Sequence, residues 1–554
     1  MEYRSVNKMF QEAFVKNWNR PALSNYQGIT IAYRELAQRI ANIHILYENC
    51  GLGKGDKVAI CARNQVNWTV AFMATLTYGA VPVPLLHEFK AANIHHLVNH
   101  SESQVLFVDN SIWDSLSETE MSDLKAVVRI DTLNLLYSSS DEITYARNHL
   151  NELFGKKYPM TFGPECLDYY ADSPEELALI NYTSGTSGFS KGVMIPYRAI
   201  QSNLEFAVSA CPYMNDQTDI VAMLPSAHMY GLMFEVLYQL WRGTHIHFLT
   251  KVPSPKIILS AMADIKPKLV ISVPLVIEKI YKSKLLPILE KSGIKFLLKL
   301  PVLDQVVLGR VRASLMEAFG GQFEEVIVGG AAFNKTVEEF FKRIKFPFTV
   351  GYGMTECGPI ITYDDWKTVK LYSCGKAAPN MKIKVDSDDP ANIPGEVLVK
   401  GDNVFLGYYR NPEATAAVLT EDGWFKTGDM GVIDSDGYLF LRGRSKCMIL
   451  GPSGQNIYPE EIEAVINSLA YVVESLVVED NGSLTALIFP DLALAQKEGL
   501  DGDQLKSKLE EMVAIANNNL PNYSRIKKVE VMPEDFERTP KRSIKRYLYQ
   551  RNKA

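Results

Sequence analysis

Between residues 30 and 110 short apolar runs alternate with stretches of helical periodicity. Lys57-Val-Ala-Ile-Cys61, Ala80-Val-Pro-Val-Pro84 and Gln104-Val-Leu-Phe-Val108 have the length and composition of buried strands, and Asn67–Thr77 and Ala91–His100 lie between them as helices. Repeated βαβ units imply a parallel sheet covered on both faces. The alternation resumes with a helix at Arg198–Val208 and strands at Asp219–Leu224, Thr244–Phe248, Lys268–Val273 and Glu324–Ile327. This second set predicts a second subdomain packed on the first.

From about residue 382 the pattern changes to short strands and tight turns. Asp436-Gly437, between Val432-Ile433 and Tyr438–Leu441, is a strong hairpin signal and predicts a compact antiparallel β subdomain. Near residue 446 a new unit begins with strand-like Cys447–Leu450, followed by Pro459-Glu-Glu-Ile-Glu463, which puts proline and acidic residues in the first turn of a helix. Two apolar strands around Asp480-Asn-Gly482 and a helix over Asp503–Asn519 complete it. The expected fold class is α/β. A large N-terminal domain, residues 1–445, holds two βα subdomains and a small β subdomain; residues 446–554 form a small α+β domain. A chain of 554 residues exceeds the size at which one core keeps growing, which agrees with two domains.

Composition narrows the class of partner. Apolar residues make up 47% and charged residues 22%, ordinary for a globular chain, and the net charge of -6 argues against nucleic acid. Met1-Glu-Tyr-Arg-Ser-Val-Asn7 lacks the apolar core of a signal peptide. The most apolar stretch, Ile220–Leu240, is interrupted by Pro225, His228 and Gly231 and predicts buried elements rather than a membrane span. Seven scattered cysteines form no Cys-x-x-Cys pair, as expected of reduced thiols in a cytoplasmic protein.

The candidate chemistry concentrates in Asn181-Tyr-Thr-Ser-Gly-Thr-Ser-Gly-Phe-Ser-Lys-Gly-Val-Met194. Thr183, Ser184, Thr186 and Ser187 offer hydroxyls, Gly185 and Gly188 let backbone N–H groups approach an anion, and Lys191 adds a compact charge. Together these suit nucleotide phosphates. The spacing is not that of a Walker loop, because Ser190 stands where the second glycine belongs and Gly192 follows the lysine. Nor does Gly-x-Ser-x-Gly occur around Ser187. The run resembles the phosphate-loop signature of the acyl-adenylate-forming (AMP-binding) superfamily of acyl-CoA synthetases, peptide-synthetase adenylation domains and luciferases. In detail it is most similar to the long-chain fatty acyl-CoA synthetase branch.

That resemblance extends along nearly the whole chain. Gly351-Tyr-Gly-Met-Thr-Glu-Cys-Gly-Pro359 follows strand-like Phe346–Val350, at a strand's C-terminal end, where α/β folds bind ligands. Glu356 is a hard oxygen ligand suited to Mg²⁺ on ATP, and Thr355 is placed to donate to the α-phosphate. Tyr352 offers adenine a flat face, and Gly353 keeps backbone near the acyl carboxylate. By resemblance Gly330, Ala331 and Ala332 line the adenine pocket, and Asp429 with Arg444 clamps the ribose. The resemblance further places His228 beside the acyl pocket, a role weighed evenly against a helix-capping turn. Lys446 falls at the hinge before a mobile C-terminal domain, and Ser453 and Gly454 lie in the loop that approaches the CoA thiol.

Two departures stand out. The loop after the hinge contains Pro452. Relatives carry a catalytic lysine in Thr-Pro-x-x-Lys-Ile, whereas this chain reads Thr539-Pro-Lys-Arg-Ser-Ile544, with Ser543 at that position and Lys541 and Lys545 as potential replacements. The C-terminal cluster of Lys541, Arg542, Lys545, Arg546, Arg551 and Lys553 is expected as a solvated face, with CoA phosphates or a peripheral membrane contact as alternatives. His96 and His100 are expected as surface histidines. His245 and His247 share one strand face with no matched carboxylate and are expected in the core.

The resulting expectation is an ATP-dependent fatty acid–CoA ligase that uses ATP, Mg²⁺ and CoA and works through an acyl-AMP intermediate. An acyl carrier protein ligase, an impaired acyl-AMP-binding relative and a phosphoryl-transferring NTPase are the alternatives, the last leaving Asp429 and Arg444 unexplained. Chain length, acceptor and oligomeric state stay open.

Overall fold

The computed structural model describes residues 3–551 apart from 184–189, 252–253, 290, 299, 301–302, 451–454, 481 and 540–542. Strands Lys57–Cys61, Val81–Leu85, Ser103–Val108 and Ala126–Arg129 form a parallel sheet, with Leu135–Ser138 added antiparallel at one edge. Helices Val66–Tyr78 and Ala91–Ser101 connect the strands, and the first of these is buried on nearly all sides. This explains why Val66–Tyr78 reads as apolar rather than amphipathic.

The second set of βα units does not form one sheet. Asp219–Ala222 pairs in parallel with His245–Phe248, which pairs in parallel with Pro21–Asn25, and that strand pairs antiparallel with Thr30–Ala32. Leu269–Ser272, Glu325–Val328 and Phe348–Val350 form a separate parallel sheet. The division escapes sequence reading because strand Pro21–Asn25 is short and joins a partner some 220 residues away.

Strands Met381–Asp386, Gly395–Gly401, Phe425–Ile433 and Leu439–Arg444 make the antiparallel β subdomain, and the hairpin turns at Asp436-Gly437, where Gly437 takes φ 84°. One apolar core runs from Val6 to Leu439. A second, from Ile457 to Val529, lies between helices Pro459–Asn467 and Gly502–Ala516 and the sheet of Val472–Asp480, Ser483–Pro490 and Ile526–Val531. At Cys447–Leu450 the structure corrects the expected strand. Ser445–Cys447 is a 3₁₀ turn and only Ile449–Leu450 pairs, with Asn456–Ile457.

Glu325 ties together the strands that carry the candidate site. It begins strand Glu325–Val328, is buried, and accepts hydrogen bonds from Tyr363 Oη (2.7 Å) and Trp366 N (3.3 Å). Burial pushes its carboxyl up to about 8, against the lowering effect of the Tyr363 bond. With the folded-state value above the unfolded one, its contribution to stability is complete below the ordinary carboxylate range and is lost as pH rises through about 8. Glu325→Gln abolishes this titration. Calorimetric melting temperatures should fall less steeply in the variant than in wild type between roughly pH 5 and about 8; parallel pH profiles would contradict the assignment.

Candidate active site

Two of the motifs lie at the C-terminal ends of adjacent strands. Gly329, after Glu325–Val328, donates its N–H to Ser272 O, and Gly351, after Phe348–Val350, donates to Val328 O. Gly330, Ala331 and Ala332 are exposed at this edge, and Gly330 has φ 89°, which L side chains rarely adopt. Tyr352–Gly353 turns back to pair with Ile360–Tyr363, and a Cβ on Gly353 would stand 2.3 Å from Pro359 O. Backbone packing therefore forbids a side chain at Gly353. Thr355–Cys357 is a 3₁₀ turn with Thr355 half-buried and Glu356 buried.

The β subdomain delivers the remaining residues. Asp429 and Arg444 face each other in register on Phe425–Ile433 and Leu439–Arg444. Arg444 Nε lies 2.7 Å from Asp429 Oδ1, and Tyr352 Oη donates to Asp429 Oδ2 at 2.5 Å. Thr427 Oγ1 accepts from Asp429 N (3.1 Å) and donates to Val397 O (2.8 Å), fixing the strand at Gly428, where φ is 73°. Burial raises the Asp429 carboxyl above its usual range, opposed by Arg444 and by the Tyr352 hydroxyl. Three motifs expected on resemblance alone therefore converge through one carboxylate.

Sequence reading missed Tyr408. Its hydroxyl donates to Glu356 Oε1 at 3.0 Å, and Lys191 Nζ sits 4.6 Å from its ring centroid. Strand Gly407–Tyr408 pairs antiparallel with Lys191–Pro196, with Tyr408 opposite Val193, and so carries the tyrosine between the lysine and the glutamate. Glu356 O also accepts from Phe405 N (2.9 Å). No local pattern around Leu406-Gly-Tyr-Tyr-Arg410 announces this contact, which depends on pairing segments more than 200 residues apart. Ser184, Gly185, Thr186, Ser187 and Gly188 lie outside the described residues, as do Ser453, Gly454 and Lys541. The two strands flanking the first gap are in place, with Thr183 opposite Lys191. Preceding it, Tyr182 Oη bonds His100 Nδ1 at 2.7 Å. His100 is thus half-buried and tied to the loop's approach, not an ordinary surface histidine, whereas His96 is exposed.

His228 is the N-cap position of helix Met229–Gly231, which continues into a π-helical stretch, Leu232–Leu237, with no cap bond from the imidazole. π-helical turns are frequent at functional sites. The segment before the helix is pinned from several sides. Asn64 accepts from Ser226 N (2.7 Å) and donates to Leu224 O (2.5 Å), and Asn181 Nδ2 donates to Ala227 O (2.9 Å). Within the π turn, buried Glu235 accepts from Met223 N (3.1 Å) and Leu224 N (2.9 Å). A cavity of about 430 Å³ opens beside this segment, lined by Asn25, Arg63, Asn64, Gln65, Asp109 and Thr250 among others. Its polar walls do not suit an alkyl chain.

Lys446 lies exposed in the 3₁₀ turn that leads into the C-terminal unit. There Arg442 Nη1 meets Glu461 Oε1 at 3.2 Å. Ser543 O accepts from Thr539 N (2.8 Å), and Arg538 pairs with Ile544 across the same turn. The C-terminal basic cluster is not simply a solvated face. Lys545 Nζ bonds Glu537 Oε2 at 3.0 Å, Arg546 holds Glu463, and Arg551 reaches Asp480 and Glu530. Among the described residues no helix is long and apolar enough to cross a membrane.

Glu356, a buried carboxylate oriented by the Tyr408 hydroxyl, has the donor chemistry that Mg²⁺ would take. Comparison with known proteins bears on the fold and the family. Over its full extent the chain is similar to crystal structures of ATP-bound MatB from Rhodopseudomonas palustris (24% identity, TM-score 0.76, 98% of each chain) and of o-succinylbenzoate CoA synthetase from Bacillus subtilis with ATP and magnesium (21%, TM-score 0.73, 97% of this chain and 98% of that one). At these identities the likeness establishes the fold. Among curated proteins it is 26% identical to the long-chain-fatty-acid–CoA ligase FadD15 of Mycobacterium bovis, over 92% of this chain and 89% of that one. It is 27% identical to the long-chain-fatty-acid–CoA ligase of Yersinia pestis, over 86% and 83% respectively. Residues 448–552 match the AMP-binding enzyme C-terminal domain, and residues 10–409, which include the phosphate-loop strands, Glu356 and Tyr408, match the AMP-binding enzyme model, so the chain belongs to the AMP-binding enzyme family.

Proposed function

We propose that this member of the family is a fatty acid–CoA ligase acting on long-chain acids. The observation that carries the nucleotide half is the Asp429 carboxylate, held at both oxygens by Tyr352 and Arg444 at the mouth of the strands bearing Gly330–Ala332 and Thr355–Glu356. A carboxylate retains lone pairs for two vicinal ribose hydroxyls after accepting these bonds. The acyl half rests on the similarity to long-chain-fatty-acid–CoA ligases and on the pinned segment around His228.

In this reading the fatty acid carboxylate oxygen attacks the α-phosphorus of ATP, the α–β bridging bond breaks, and pyrophosphate leaves. The thiol sulfur of CoA then attacks the acyl carbonyl carbon, loses its proton to solvent and displaces AMP. Thr355 and Lys191 stabilise charge on the phosphates, while Tyr352, Asp429 and Arg444 align the nucleotide. Glu356 would hold Mg²⁺, which supplies charge neutralisation when bound. Lys446 serves as the pivot between domains of residues 1–445 and 446–554, so that Ser453–Gly454 and the segment around Ser543 exchange places.

Lys545 in this arrangement is paired with Glu537, which raises its ammonium's affinity for its proton. Replacement of the family lysine by Lys545 therefore requires that ion pair to open. Lys545 then rescues adenylation only in part, which leaves the first step slow and thioester formation intact.

ATP–pyrophosphate exchange across a panel of carboxylates, followed by addition of CoA, tests the whole reading. Exchange that no carboxylate stimulates would reject it, and transfer to an acyl carrier protein but not to CoA would reassign the acceptor. Within that assay, Asp429→Ala should weaken ATP binding by about 2–4 kcal/mol, the worth of one or two charge-assisted hydrogen bonds. Unchanged calorimetric affinity would remove Asp429 from the site.

Chain-length dependence gives a second test. Each buried methylene contributes ~0.8 kcal/mol before ordering costs, so kcat/KM should climb with chain length and plateau near roughly C12–C16. Acetate performing as well as those acids would exclude a long-chain role.

Ser543→Lys should speed pyrophosphate release by up to ~10²–10³-fold while leaving turnover of acyl-AMP with CoA nearly unchanged. Lys545→Ala should slow the first step alone. A wild type that adenylates at full rate without help from Lys541 or Lys545 would defeat this account.

A further inference from the structure

Strand His245–Phe248 alternates cleanly. Ile246 and Phe248 are fully buried in the core, and His245 and His247 project from the other face, both less than one-fifth exposed. Their expected packing in the core without a carboxylate is corrected by the register of the neighbouring strand. Asp219 lies opposite His245, and its Oδ1 is 3.1 Å from His245 Nδ1 and 2.9 Å from His247 Nε2. The imidazole centroids are 4.0 Å apart. On the far side, His245 Nε2 lies 2.7 Å from Ser24 Oγ, which in turn lies 2.6 Å from Thr30 Oγ1. One polar line therefore crosses all four strands of this sheet.

We propose that Asp219, His245 and His247 bind a first-row divalent transition metal, with Zn²⁺ the best match. One ligand atom from each residue lies within 4.8 Å of the others, the one such group of three among the described residues. Two neutral imidazoles and a carboxylate are the donor set of three-ligand zinc centres and of facial-triad iron sites. Ligands bonded at ~2.0–2.1 Å to a tetrahedral centre are about 3.3 Å apart, so the observed N–O separations need only a few tenths of an ångström of expansion. Half-exposed Asp219 leaves the remaining coordination positions to water.

The protonation states permit the exchange. Asp219 Oδ1 accepts from both imidazoles, and a metal ion would take the place of the two protons between them. Without metal, each imidazole directs its N–H to Asp219. With metal, His245 keeps its proton on Nε2 and donates it to Ser24 Oγ, the outer-shell bond that orients a ligating histidine. Each ring retains one proton, and only the tautomer changes.

The site is remote from acyl activation. Asp219 and His245 are the first residues of their parallel strands, whereas the segment carrying His228 follows the opposite end of Asp219–Ala222. The metal therefore braces the sheet edge and leaves the chemistry alone.

Metal-stripped, tag-free protein should take up one Zn²⁺ per chain by equilibrium dialysis without ATP, and its melting temperature should rise on Zn²⁺ addition. Affinity should drop at least ~100-fold in His247→Gln and Asp219→Asn and ~10-fold in Ser24→Ala. Peptide mapping after diethyl pyrocarbonate treatment needs no variant, and Zn²⁺ should protect His245 and His247 in the wild-type chain. The proposal fails if both histidines are modified equally with and without Zn²⁺. It also fails if folded His247→Gln binds Zn²⁺ as wild type does, since uptake would then belong to other residues such as the cysteines.

Discussion

A buried carboxylate must be paired, and in this chain that requirement joins the pieces of the proposed nucleotide site. Asp429 is 9% exposed in its side chain, a position at which an unpaired charge would cost several kcal/mol. Its two partners come from different elements, Tyr352 from the turn after a parallel strand and Arg444 from the neighbouring antiparallel strand. The pairing thus locks the β subdomain against the end of the parallel sheet. It also sets Arg444 two residues before Lys446, where the C-terminal unit begins.

The same logic operates at Glu356. Its carboxylate is buried with Tyr408, whose strand is held by pairing with Lys191–Pro196. An aromatic ring between a lysine and a glutamate gives both a partner. The acyl side is organised by neutral donors and one buried acid. Asn64, Asn181 and Glu235 hold the backbone from Met223 to Ala227, so that a segment lacking regular structure is still rigid.

The C-terminal unit has its own core and its own charge network. Arg546 is anchored on buried Glu463, which also accepts from Val477 N, and Arg551 closes on Asp480 and Glu530. These pairs explain why a run of basic residues at the end of the chain need not be a surface for anions. They also keep the Ser543 segment folded back on its own sheet.

By itself the sequence determined the βα alternation, the hairpin at Asp436-Gly437, the helix starting at Pro459 and the motifs around Lys191, Glu356 and Asp429. Each of these is a local requirement, met by a hydrophobic period, a turn residue or a short run of hydroxyls and glycines that contiguous residues must satisfy. The tertiary structure alone decided that Pro21–Asn25 joins His245–Phe248, that Tyr408 stands between Lys191 and Glu356, and that Asp219 meets His245 and His247. Those contacts depend on the register of strands far apart in the chain, and register is set by how whole sheets bury their faces, a property no single stretch of sequence carries.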